Sequence, residues 1–125
     1  MIEEIIAKSL SYRERAKQYF ANFQVERDRG NREKAGEALW GVVSCLLNAL
    51  HILERGKPLT THGELREYAR SFLISELRNG EKLFKMFRKA EKMHANFYHH
   101  FLDEDEFTEL CSDILMLVKE LDSTL

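Results

Sequence analysis

Between Phe87 and Phe101 the chain reads FRKAEKMHANFYHHF, which sets an arginine, three histidines, a tyrosine and an asparagine into fifteen positions. Histidine moves protons near neutral pH and also ligates metals, so two chemistries are open to this stretch. Glu91 and His94 have the Glu-x-x-His spacing of di-metal helical bundles. That chemistry uses two such pairs and two further carboxylates, whereas this spacing occurs once here, so no metal site is expected. His94 shares a helical stripe with Leu83, Phe87, Ala90, Phe97 and Phe101, so by position alone it is a core histidine. Asn96 and Tyr98 are further candidate binding side chains. On the opposite face Lys82, Lys85, Lys89 and Lys92 recur at steps of three and four, with Arg78 before them and Arg88 beside them. Such a row either binds phosphates or is a solvated face answered by Glu76, Glu81 and Glu91.

These residues must be positioned by helices. With one proline and six glycines the chain is almost unpunctuated, and the few breaks fall where helix ends belong. Ile5, Ser9, Tyr12, Ala16, Tyr19 and Phe23 mark one face of a first helix over Ile2–Arg29. Gly30 closes it and Asn31 is placed to cap a second helix, Asn31–Arg55, which is apolar over most of its circumference and hence central. Its remaining row, Gly41, Ser44 and Asn48, is either a close-approach site for another backbone or a solvated face. Gly56 and Pro58 stop that helix, and Thr61 with Glu64 spells a capping box for a third. The chain breaks again at RNGE, Arg78 to Glu81, before a fourth helix; DEDE, Asp103 to Glu106, opens a last one. The expected fold is an all-α, up-and-down antiparallel bundle of four main helices plus one shorter helix, a single domain over 1–125. Trp40, Leu46, Leu50, Phe87 and Phe97 are its expected core.

Composition narrows the function. At 44% hydrophobic and 32% charged the chain has the make-up of a folded globular domain. A formal charge of −2 argues against bulk attraction to nucleic acid or membrane surfaces, so any such binding needs a local basic patch. Cys45 and Cys111 lack CxxC spacing and read as buried core thiols. The start MIEEIIAKSL has acidic residues where a signal peptide needs basic ones, and no apolar run of membrane-spanning length is expected, which points to a cytoplasmic protein. There is no Gly-rich phosphate loop, nucleophile elbow or Ser/His/Asp constellation, and no cofactor is expected.

Four stretches carry a family resemblance: KAGEALWG (Lys34–Gly41), HGEL (His62–Leu65), LF at Leu83 and Phe84, and AEKMHANFY (Ala90–Tyr98). Together they resemble the archaeal PaREP family of small helical proteins over roughly residues 30 to 120. That family is similar to the larger HEPN group (higher eukaryotes and prokaryotes nucleotide-binding), all-helical domains that commonly dimerise. The resemblance implies a homodimer whose ligand is RNA or a nucleotide, acting as a non-catalytic binding or scaffold module. Its alternative is a metal-independent RNase, since active HEPN members carry an arginine followed four to six residues later by a histidine, and Arg88 and His94 have five residues between them. In that case His94 assists proton transfer at the RNA 2′-hydroxyl and Arg88 stabilises the phosphate. An unbroken helix sets those two side chains about 120° apart, so a kink or a groove across a dimer axis is needed to bring them together. Pairing with a nucleotidyltransferase partner protein would mark a toxin–antitoxin system.

Overall fold

The computed structural model describes the backbone of residues 1–125 and every side chain except those of Tyr98 and His99. Among the described residues there are five helices and no strand: α1 (Ile2–Asp28), α2 (Arg32–Arg55), α3 (His62–Glu76), α4 (Gly80–His99) and α5 (Glu104–Thr124). The protein is all-α, with α3 as the short helix.

The helix ends follow local chemistry. Gly56 closes α2 in the left-handed region at φ 79°, and the Thr61–Glu64 capping box is complete in both directions. The Thr60 hydroxyl and backbone N–H groups donate to Glu64 and hold its carboxyl below the usual range. Asp103 Oδ1 accepts from the Glu106 N–H at 2.8 Å to start α5. Asn31 departs from expectation: it stands at the N-cap of α2, but its Nδ2 donates to Glu26 Oε2 at 2.7 Å and its side chain caps nothing. The break at RNGE is made by Leu77 in extended backbone and Asn79 at φ 60°. Gly80 then starts α4 so close to α3 that a Cβ there would lie 2.0 Å from the Leu73 carbonyl oxygen.

α2 touches all four other helices, and Leu39, Val43, Leu47 and Ile52 on it are sealed from solvent. Trp40, Leu46, Leu50 and Phe87 are buried as expected, while Phe97 is only partly so. By length and composition α2 is also apolar enough to cross a membrane, contrary to the expectation above, but most of that stretch is buried inside the bundle. α1 runs antiparallel to α2, with the Ser9 hydroxyl donating to the Ala49 carbonyl and Tyr19 lying against Gly41.

The strict up-and-down path fails at one connection. Residues 56–61 do not turn over the end of α2; they return along its side. His51 Nδ1–H donates to the Lys57 carbonyl at 2.6 Å, and the Leu59 N–H donates to Asn48 Oδ1 at 2.7 Å. α3 therefore starts beside Trp40 and runs in the same sense as α2, reaching Glu54 with the Tyr68 hydroxyl at 2.9 Å. The Asn48 end of the small polar row is where another backbone approaches, and that backbone is this return strap.

Candidate functional site

The strap decides what His62 meets. Without it, His62 would start a helix at the far end of α2; with it, the imidazole lies over Trp40, ring centroids 5.2 Å apart. α4 crosses the same place with Arg88, Glu91 and His94 at successive three-residue steps. Its His94 ring stacks on Trp40 at 5.3 Å and stands 5.9 Å from the His62 ring. Three helices thus place two imidazoles beside one buried indole.

Each imidazole is oriented by a carboxylate. His94 Nδ1 is 2.7 Å from Glu37 Oε1, one turn before Trp40 on α2. His62 Nε2 is 2.6 Å from Glu91 Oε2, which also accepts from Arg66 Nε at 2.9 Å. Arg88 Nε lies 3.2 Å from Glu91 Oε1 as an ion pair, yet that buried oxygen has no hydrogen bond. With a side chain 10% exposed, Glu91 is the hidden centre of the cluster. Around it Arg88 is 50% exposed and His94 31% exposed, so both side chains reach the surface. Charge-assisted contacts of this kind are the strong ones, and they fix ring orientation as well as position.

The arrangement resolves the geometry of the Arg88 and His94 pair. α4 is continuous between them, so the two do not meet directly; they are connected through Glu91 and His62. No group of three or more His, Cys, Asp or Glu is placed to hold a metal ion among the described residues. Of the lysine row, Lys89 pairs with Asp113 of α5, whereas Lys82, Lys85 and Lys92 are exposed, Lys92 above the Phe101 ring at 5.9 Å. Arg70 on α3 extends this basic face over the Phe84 ring at 5.1 Å. Asn96 is 1% exposed, and its Oδ1 accepts from the Leu102 N–H at 2.8 Å, which ties the turn into α5. The Tyr98 side chain lies outside the described residues.

Glu37, His62 and Arg66 have no helical or motif signal that marks them as a site, and Trp40 reads as core. The signal that existed was indirect: Glu37 and Trp40 lie in KAGEALWG, His62 in HGEL, and Glu91 with His94 in AEKMHANFY. Three of the four stretches that carry the resemblance meet in one cluster.

A helical bundle with an acid-centred histidine and arginine cluster on one face is the class of protein that fold and site define. The archaeal PaREP1/PaREP8 family model matches residues 11–118, and the chain belongs to that family. No curated protein and no solved structure matches it.

Proposed function

We propose that the chain is a cytoplasmic, HEPN-like binding module that takes single-stranded RNA along the exposed face of α4, without turning it over. The observation that carries this is the continuity of the basic face: Lys82, Lys85, Arg88 and Lys92 at helical spacing, with Arg66 and Arg70 of α3 alongside. Lys82 and Lys85 have no carboxylate within ion-pair distance among the described residues, whereas Arg66 and Arg88 pair with Glu91, Arg70 with Glu67 and Lys89 with Asp113, so the unneutralised part of the row is at these two lysines. It is the local patch that a chain of charge −2 needs for binding a polyanion. The cluster terminates this face, and its two arginines are held in place by the buried Glu91.

One observation favours catalysis as a second reading. Glu37 fixes the His94 ring through Nδ1, the arrangement that prepares an imidazole for proton transfer. In that reading His94 and Arg88 keep the roles given above, and His62 joins them. Binding ranks first because Arg88 and His94 are each engaged by a different carboxylate and do not converge on one point.

Fluorescence anisotropy with a labelled single-stranded RNA, titrated with salt, tests the reading. Lys85→Ala and Arg88→Ala should each weaken binding and lower the log–log salt slope by about 0.7. Unchanged affinity in both would overturn it. The same RNA incubated in EDTA separates the second reading: cutting that is lost in His94→Ala and Arg88→Ala, while both variants stay folded, would establish the RNase.

A further inference from the structure

Where the turn between α1 and α2 meets α5, an open pocket of about 540 Å³ shares no residue with the cluster or with the basic face of α4. α5 supplies one wall in two rows of four-residue steps: Phe107, Cys111 and Leu115 are apolar, and Glu104, Thr108 and Ser112 are polar. The turn side supplies Arg27 from the end of α1 and Arg32 from the start of α2, with Gly30 between them.

Both arginines are held there without a carboxylate. Arg27 lies over the Phe23 ring, its Cζ 4.8 Å from the centroid, and stacking of that kind leaves the N–H edge of a guanidinium free. Arg32 has its Nε buried with no hydrogen bond. Neither has an ion-pair partner among the described residues. Of the carboxylates around the turn, Glu26 engages Arg29 and Asn31. Glu33 engages His100 at 3.0 Å, with Arg32 a minor influence on it, and the exposed Glu104 on the pocket wall pairs with neither arginine. A guanidinium carries five donors and no acceptor, so two of them left without a carboxylate in one pocket form a receptor for an oxyanion.

We propose that this pocket binds a small organic monocarboxylate, its carboxylate on Arg27 and Arg32 and its apolar body against Phe107, Cys111 and Leu115. Charge selects the ligand class. Two arginines against Glu104 leave a single positive charge in excess in the lining, which a monoanion neutralises and a doubly charged phosphate overfills. The apolar row selects a ligand with a hydrocarbon body over a bare ion, because carbon laid on Phe107 and Leu115 removes apolar surface from water. The Ser112 hydroxyl adds one donor, whereas Thr108 Oγ1 already donates to the Glu104 carbonyl at 2.9 Å.

Isothermal titration calorimetry of the full chain without RNA tests this, with phenylacetate and hexanoate as probes and hexanamide, inorganic phosphate and AMP as comparators. Both probes should bind saturably, in roughly the millimolar range or tighter, and hexanamide about tenfold more weakly or worse. Arg27→Ala and Arg32→Ala should each lower probe affinity about tenfold, whereas Glu104→Gln, which removes the opposing charge, should raise it about threefold. Arg27 and Glu104 are exposed, so their variants read binding on a folded protein whatever Arg32→Ala does to stability. No saturable binding of either probe, affinity unchanged in Arg27→Ala, hexanamide binding as tightly as hexanoate, or phosphate or AMP binding as tightly as the probes in an Arg27-dependent way would each overturn the proposal.

Discussion

Glu91 shows how one residue holds several others. Its carboxylate serves His62, Arg66 and Arg88 from a nearly buried position, so its removal leaves two guanidinium groups and an imidazole without their shared acceptor. Glu91→Ala is expected to destabilise the fold by about 1–3 kcal/mol, read from urea unfolding. A double-mutant cycle with Arg66→Ala should show coupling, because the two share a hydrogen bond at 2.9 Å. The two thiols give a second prediction. Burial pushes Cys45 up to about 11 and Cys111 up to about 12. The folded state therefore prefers the protonated thiols, and their contribution is complete below the unfolded thiol pKa of roughly 8.5 and is lost as pH rises through the folded values. Stability should fall in alkali above that point, and a thiol reagent at neutral pH should label neither cysteine until denaturant is added.

At the scale of elements, the connections matter more than the helices. Asn48 ties the return strap to α2, Oδ1 accepting from the Leu59 N–H of the strap while Nδ2 donates to the Ser44 carbonyl within the helix. Asn48→Ala should cost about 1–3 kcal/mol. It should also loosen His62 relative to Trp40, visible as a change in tryptophan fluorescence, whereas Thr61→Ala should cost about 1 kcal/mol through the lost cap. Gly80→Ala should be among the most damaging single changes, about 3 kcal/mol or more, since a Cβ at that position meets the Leu73 carbonyl and neither backbone can give way. The helices themselves were legible because a periodic apolar stripe marks a helix wherever it lies, as Phe87 and Ala90 do for α4. The cluster was not, because periodicity says which residues share a face and never which face meets which. The strap was hidden for the same reason. Gly56 and Pro58 announce a stop, but only the buried Asn48 and His51 show that the chain turns back along α2. Asn31 departs from the expected cap because an amide at that position has a second choice of partner, here Glu26.

Across the whole molecule, the central helix stands between the basic face of α4 and α1, which have no close backbone approach to each other among the described residues. Among the described residues α2 packs against all four other helices, and α1 has its close backbone approach to α2 and to no other helix. An element fixed along one side only has a cheaper way to open than the protein has to unfold. α1 should behave as its own foldon, lifting from α2 while α2, α4 and α5 stay packed, and its amides should exchange hydrogen for deuterium through that partial opening. Mass spectrometry of exchanging peptides should then find residues of α1 less protected than those of α2, although both are continuous helices.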